Sequence, residues 1–112
     1  MPTIFTKIIN KEIPADIVYE DEKCLAFKDI NPQAPVHILV IPKTEIRSLA
    51  DITPEHQELM GYLLCKVTEI AKAQNLKEGY RVIINTESHG GQTVYHLHIH
   101  IMGGRQMNWP PG

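Results

Sequence analysis

The residue pattern that most constrains the fold lies near the carboxyl end of the chain, where histidines and apolar residues alternate from His96 to Ile101. Side chains alternate between the two faces of a β-strand but spread around a helix, so this period of two predicts a strand. We expect His96, His98 and His100 on one face and the intervening apolar residues on the other face, packed against the core under the long helix. The predicted strand runs from about Val94 to Met102.

Four further segments have the composition of strands. Two short β-prone runs flank an acidic turn and predict a hairpin. A third run is apolar except for one histidine, as expected of a strand covered on both faces, and the fourth precedes a glycine-rich loop. In chain order, these predicted strands are Ile17–Glu20, Cys24–Lys28, Val36–Ile41 and Tyr80–Ile84.

The sequence also predicts one long and one short helix. Apolar residues recur every three or four positions from Leu59 to Ala71, which indicates an amphipathic helix over Thr53 to about Asn75. Phe5 and Ile8 share one side of a shorter helix near the start of the chain. Because the strands are mostly joined as hairpins, we expect an α+β domain with a five-stranded antiparallel sheet.

Length and composition indicate one domain, since 112 residues of which 43% are apolar bury a modest core without disulfides. The 11 basic and 13 acidic residues are scattered, whereas nucleic-acid binding needs clustered cations, so polymeric nucleic acid is excluded as a partner. We expect a cytoplasmic protein without a membrane partner, because no segment has the composition of a signal peptide or transmembrane helix. Cys24 and Cys65 are expected to be buried free thiols.

Three histidines on one face of a strand are hard to explain by packing, because a half-buried strand usually presents Thr, Lys or Glu to solvent. Imidazole titrates near neutrality, so a neutral histidine attacks phosphorus while a protonated one donates to a departing amine. Directly upstream, Gly90 to Thr93 have the composition of a turn that offers backbone N–H groups and a hydroxyl to a phosphate. A glycine pair alone usually marks only a turn.

Zinc binding is the main rival interpretation of the histidines. On an extended strand the Cα atoms of His96 and His100 are about 13 Å apart, whereas nitrogen ligands of one zinc ion lie within roughly 4 Å of each other. One ion would therefore take two of the three histidines, with His37 or His89 as a further ligand. We predict catalysis without a metal or other cofactor, and zinc stays open as an alternative.

These residues resemble the histidine triad (HIT) family, whose signature is His-x-His-x-His followed by apolar residues, here His96 to Met102. The likeness covers nearly the whole chain, including Asp29 to Pro35 and His37 to Pro42. The ending Gly103 to Gly112 resembles the histidine triad nucleotide-binding protein branch, the purine nucleoside phosphoramidases. The resemblance implies a homodimer that joins two sheets into one of ten strands, with the long helix in the interface, and purine nucleoside monophosphate derivatives as partners.

The resemblance also implies roles for four histidines. His98 would attack the α-phosphorus to form a covalent nucleotidyl-histidine, which water then hydrolyses to release the monophosphate. His100 and His37 would bracket the phosphate and help to pass a proton to the amine. The backbone carbonyl of His96 would accept the Nδ1 hydrogen of His98, leaving Nε2 free to attack.

The nucleotide contacts implied by the resemblance fall into three groups. Asp29 would accept hydrogen bonds from the ribose, although turn formation alone would explain this residue. Asn85 would contact the phosphate, although a cap at the end of a strand would also explain it. The remaining members are Gly91, Gln92 and Thr93 at the phosphate and Phe5, Ile8, Phe27, Ile30 and Leu39 around the base. Asn31 and Trp109 are further predicted nucleotide-binding residues. Thr93 and Asn31 stand where many relatives have Ser, which would alter how the leaving group fits.

Three other functions stay open at this point. The sister branch of dinucleoside polyphosphate hydrolases shares the triad and Gly91 to Val94, although the Trp109 tail argues against it. A nucleotide-binding or scaffolding dimer with incidental catalysis would not require the whole histidine set. The third is the zinc-binding protein already described.

Overall fold

Five strands and two α-helices, besides two short 3-10 helices, are the main elements of residues 2–112, the part of the chain that the computed structural model describes. In chain order the elements are α1 (Ile4–Ile9), β1 (Ile17–Glu20), β2 (Cys24–Lys28), β3 (Val36–Pro42), α2 (Gln57–Ala73), β4 (Tyr80–Ile83) and β5 (Ile99–Gly103). The strands form a single sheet in the order β1-β2-β3-β5-β4, and every neighbouring pair is antiparallel. The predicted α+β class with one long and one short helix is confirmed.

Strand β3 separates two apolar clusters, one on each face of the sheet. Ile38 and Val40 belong to the cluster under α2, together with Ile99 and Ile101 of β5. Leu39 and Ile41, which alternate with them along β3, belong to the cluster under α1. A strand covered on both faces is therefore confirmed, and so is the packing of the two isoleucines of β5 under the long helix.

The long helix begins later than predicted. Thr53 caps a 3-10 turn over Pro54–His56, in which the Thr53 N–H donates to Nδ1 of His56 at 3.0 Å. The α-helix itself runs from Gln57 to Ala73, and Asn75 then adopts a left-handed conformation with φ 59° that ends it. No helix within residues 2–112 is long and apolar enough to cross a membrane.

The predicted strand from Val94 to Met102 is wrong in its first half. Strand β5 begins only at Ile99, so His96 and His98 precede the strand and His100 alone lies within it. The physical reason is visible at Leu97, whose N–H donates at 2.6 Å to the Ile46 carbonyl of a loop instead of to β3. The alternation of side chains therefore continues beyond the regular strand.

The two cysteines have different environments. Cys24 is fully buried within β2, and burial raises the pKa of its thiol to about 12. Cys65 lies on the outer side of α2 and is exposed, so the expectation of two buried thiols is wrong for this residue. Helical periodicity explains the difference, because Leu63 and Val67 occupy the inner side of the same helix.

Candidate active site

His98 is held in one tautomer by a backbone carbonyl. Its Nδ1 donates to the carbonyl oxygen of His96 at 2.7 Å, and because a carbonyl has no hydrogen to give, Nδ1 must carry the proton. The lone pair is therefore on Nε2. The ring is buried and meets the edge of Phe5, with the ring centroids 5.0 Å apart. The hydrogen bond expected of a nucleophilic His98 is thus present.

His96 is anchored in the protein interior. Its side chain is only 1% exposed, and Nε2 donates to the carbonyl oxygen of Pro42 at 2.8 Å, at the end of β3. With its imidazole bonded in this way, His96 contributes its backbone carbonyl to His98 and fixes the position of that carbonyl. This arrangement agrees with a supporting role for His96.

His37 and His100 form a directional pair. The Gln33 N–H donates to Nδ1 of His37 at 3.0 Å, so this nitrogen is an acceptor and Nε2 carries the proton. Nε2 of His37 in turn lies 2.9 Å from Nδ1 of His100 and donates to it. The proton of a neutral His100 is therefore on Nε2, a buried atom that has no hydrogen-bond partner within residues 2–112.

The unpartnered Nε2–H of His100 belongs to the ring next to His98, since the rings of His98 and His100 have centroids 5.0 Å apart. A buried donor without a partner is costly, which makes this atom a candidate contact for a ligand oxygen. The site thus presents a nitrogen with a free lone pair on one ring and a hydrogen-bond donor on the next. Such an arrangement suits attack on an electrophilic atom that carries oxygens, because the donor stabilises the negative charge on those oxygens.

Burial keeps these imidazoles neutral. It lowers the pKa of His98, against the hydrogen bond to the His96 carbonyl, which raises it. It lowers the pKa of His100 to about 4, and the neighbouring His98 and His37 act in the same direction. The pKa of His37 is also lowered by burial, although the Asp29 carboxylate opposes the shift. A neutral imidazole is the form that attacks.

Asp29 forms the turn considered for it, while its contact with the ribose stays a prediction. One carboxylate oxygen accepts the N–H of Asn31 at 2.8 Å, which is the turn expected before Pro32. The other oxygen lies 3.5 Å from Nε2 of His37. The carboxylate therefore shapes the loop after β2 and also borders the histidine pair.

A group of possible metal ligands in this region differs from the one considered on sequence grounds. One ligand atom each from Asp29, His37 and His100 lie within 4.8 Å of one another. However, the two histidine nitrogens that face each other are 2.9 Å apart and share a proton. Nitrogens bound to one zinc ion at about 2.1 Å lie more than about 3 Å apart. Zinc would have to break this hydrogen bond.

The glycine-rich turn differs from its predicted form. The N–H groups of Gly91 and Gln92 donate to the carbonyls of Ser88 and Glu87, both at 3.1 Å, so neither group is free for a phosphate. The side-chain amide of Gln92 is also bonded to the protein. The turn uses these donors to close itself, and the phosphate contacts of Gly91 and Gln92 stay untested predictions. Thr93 remains exposed at the end of the turn.

Four of the five residues expected around the base lie together, since Phe5, Ile8, Phe27 and Leu39 share the cluster under α1. Ile30 does not belong to it and is 95% exposed. Of the remaining predicted contacts, Asn31 is exposed and Asn85 is half-buried two residues after β4. Trp109 is 82% exposed, in a tail that Arg81 of β4 holds by donating to the Asn108 carbonyl at 2.9 Å.

Sequence reasoning missed two groups that shape the site. Gln33 fixes the tautomer of His37 through its backbone N–H, and no side-chain pattern signals such a contact. Arg47 donates to both carboxylate oxygens of Glu87, at 2.6 and 3.2 Å, and so braces the glycine-rich turn. The Arg–Glu pair spans 40 residues of sequence, so local spacing gives no sign of it.

Comparison with known proteins agrees with this geometry. The HIT domain matches residues 10–107. An uncharacterized HIT-like protein of Synechococcus elongatus is 66% identical over 110 residues, which are 98% of this chain and 96% of that protein. A 14 kDa zinc-binding protein of Zea mays is 59% identical over 99% of this chain and 88% of its own length. Adenylylsulfatase HINT1 of Arabidopsis thaliana is 53% identical over 99% of this chain and 77% of its own length.

Solved structures share the fold over nearly the whole chain. A HIT family hydrolase from Legionella pneumophila superposes with a TM-score of 0.97 at 48% identity, covering 99% of this chain and 100% of that one. A histidine triad nucleotide-binding protein from Candida albicans gives a TM-score of 0.83 at 32% identity, covering 97% of this chain and 83% of that one. The chain belongs to the HIT family, in its histidine triad nucleotide-binding protein branch.

Proposed function

We propose that this HIT-family hydrolase cleaves the P–N bond of purine nucleoside 5′-phosphoramidates through a covalent nucleotidyl-His98 intermediate. The observation that carries the proposal is the pairing of two adjacent imidazoles, His98 with a free Nε2 lone pair and His100 with an unpartnered Nε2–H. The first suits attack on phosphorus, and the second suits an oxygen of the same phosphate.

The reaction has two displacements. Nε2 of His98 forms a bond to the α-phosphorus while the P–N bond breaks, and the departing nitrogen takes a proton. A bound phosphate favours a protonated imidazole nearby, because opposite charges raise its pKa, so the His37–His100 pair passes that proton once substrate is present. Water then attacks the phosphorus and the bond to Nε2 of His98 breaks, which releases the monophosphate and restores His98. The proton that the water loses returns to the His37–His100 pair. The two steps together replace one difficult displacement by two easier ones.

The nucleotide is proposed to lie along the α1 side of the sheet. The base would rest against exposed apolar surface at Ile30 and the edges of the cluster containing Phe5. Asp29 would accept hydrogen bonds from the ribose hydroxyls through the carboxylate lone pairs that its turn does not use. Thr93 and Asn85 would contact the phosphate, because both lie at the border of the turn that precedes His98.

The proposed assembly is a homodimer that pairs β4 with β4. This strand is at one edge of the sheet, which leaves a row of backbone groups open to another strand. A cavity of about 830 Å³ runs beside it, lined by residues 75–82 and 104–107, and Leu64 of α2 is 49% exposed. Sedimentation velocity checks this assembly: a species of twice the chain mass is expected, and Val82→Pro, which removes an edge N–H, is expected to weaken it.

Adenylyl sulfate is a second candidate substrate, because a relative at 53% identity is an adenylylsulfatase. Sulfate departs as an anion and needs no proton, which suits a His37–His100 pair that burial keeps neutral. Both candidates use the same attack by His98. They differ only in whether the pair must deliver a proton to the leaving group.

The deciding experiment compares release of AMP from adenosine 5′-phosphoramidate, adenylyl sulfate and a diadenosine polyphosphate. His98→Ala is expected to be slower than the wild type by at least about a thousandfold, while His89→Ala, a change at an exposed histidine, serves as the matched control. Mass spectrometry of protein quenched during turnover should show AMP attached to the wild type only. A wild type inert on all three substrates would instead favour a nucleotide-binding or zinc-binding role.

A further inference from the structure

Gln92 is only 6% exposed, although an amide is costly to bury unless its oxygen and nitrogen are both bonded. Its Oε1 accepts the N–H of Glu87 at 3.0 Å, and its Nε2 donates to the carbonyls of Arg47 at 3.0 Å and Val94 at 3.1 Å. All three partners are backbone groups. One side chain therefore joins both ends of the glycine-rich turn to the loop after β3.

The same loop holds the turn at further points. The Arg47 guanidinium donates to both carboxylate oxygens of Glu87 and lies over the ring of Tyr95, 4.5 Å from its centroid. The neighbouring Ile46 carbonyl accepts the N–H of Leu97 at 2.6 Å. Residues 46–47 thus contact residues 87–97 through backbone and side chain alike, with the Gln92 amide at the centre.

These contacts replace the bonds that a sheet would provide. The backbone from Gln92 to His98 lies outside β5, so no regular ladder fixes it. We infer that Gln92 is a positioning residue for His98, whose side chain locks this backbone onto the Arg47 loop rather than binding phosphate. The catalytic part of this inference rests on the proposed function, whereas the positional part does not.

Two substitutions separate positioning from phosphate binding. Gln92→Glu keeps the size and the acceptor for Glu87, but places an oxygen against the two carbonyls that the amide nitrogen serves. Gln92→Met removes all three bonds at similar volume. Gln57→Met, at an exposed glutamine in the first turn of α2, is the matched control.

A misplaced nucleophile lowers turnover without weakening binding. Both Gln92 variants are expected to lower kcat for the phosphoramidate by about a hundredfold and to change the Kd for AMP by less than about threefold. Gln57→Met should match the wild type in both. A Gln92→Met protein with unchanged kcat and weaker AMP binding would overturn the inference, since that result identifies Gln92 as a phosphate ligand.

A second readout does not depend on turnover. The Nδ1 proton of His98, bonded to the His96 carbonyl, should give a protected downfield NMR resonance that is lost in Gln92→Met and kept in Gln57→Met. If the wild type turns over no substrate, the proposed function fails, while this resonance still decides the positioning. If Gln92→Met does not fold, Gln92→Glu, which keeps the bond from the Glu87 N–H, takes its place. It should weaken the resonance, and an unchanged resonance would overturn the inference.

Discussion

Lowering the pH from 6.5 to 4 is expected to destabilise the fold, and the imidazole of His100 should account for a large share of the loss. Burial is the largest cause that lowers the pKa of His100 from 6.5 to about 4. The positive forms of His98 and His37 act in the same direction, and the Asp29 carboxylate opposes them. In the unfolded chain none of these contacts remains. The same imidazole therefore has its ordinary pKa there.

The sign follows from proton binding. Between pH 6.5 and 4 the unfolded chain binds a proton at His100 that the folded chain does not, so the free energy of unfolding rises with pH in this window. The stabilisation is complete above pH 6.5, is lost as the pH falls, and is absent below about 4. Moving the pKa of one imidazole from 6.5 to about 4 corresponds to about 3 kcal/mol.

Urea unfolding of the wild type and His100→Gln at several pH values between 7.5 and 4 measures this contribution. The substitution has a fixed cost at every pH, so only the difference in pH dependence reports the titration. The wild type should lose about 3 kcal/mol more than His100→Gln across the window, and His89→Gln should follow the wild type. Parallel curves for wild type and His100→Gln would refute the reasoning, because they would show that His100 titrates alike in both states.

Three further predictions concern the turn, the core and the nucleophile. Gly90→Ala should lower the melting temperature more than Gly91→Ala, although only Gly91 has a positive φ, of 81°. A Cβ at Gly90 would lie 2.6 Å from the backbone nitrogen of Thr86 and closer still to its carbonyl oxygen, whereas nothing lies within 4 Å at Gly91. Leu63→Ala, in the fully buried centre of α2, should cost about 3 kcal/mol in urea unfolding. The pH profile of kcat/KM for the phosphoramidate should fall at low pH with an apparent pKa below 6.5, because burial lowers the pKa of His98.

Local patterns in the sequence are enough to predict most of the fold. The run from Val36 to Ile41 is apolar on both faces, and the structure places it between two cores because α1 and α2 cover opposite faces of the sheet. The period of α2 likewise separates Leu63 from the exposed Cys65. Where the pattern ends, the boundaries shift by a few residues, as at Thr53, because capping turns have no apolar period.

The site is harder to predict, because alternation of side chains does not require a ladder of backbone bonds. His96, Leu97 and His98 keep the period of two while their segment leaves the sheet for the loop at Ile46. The glycine-rich turn shows the same difficulty. Its composition suits a phosphate, yet the donors of Gly91 and Gln92 close the turn itself, and this choice depends on neighbours that are distant in sequence.

The reactive nitrogen of each histidine is hard to predict from the sequence because backbone groups fix the tautomers. His96 is fixed by the carbonyl of Pro42, His98 by the carbonyl of His96, and His37 by the N–H of Gln33. Every residue except proline carries both backbone groups, so none of these partners has a signature in the sequence. The spacing of side chains therefore predicts which histidines act, whereas the reactive nitrogen of each follows only from the backbone that surrounds it. Because an imidazole can attack only through a nitrogen with a free lone pair, the backbone around each histidine decides what that histidine can do chemically.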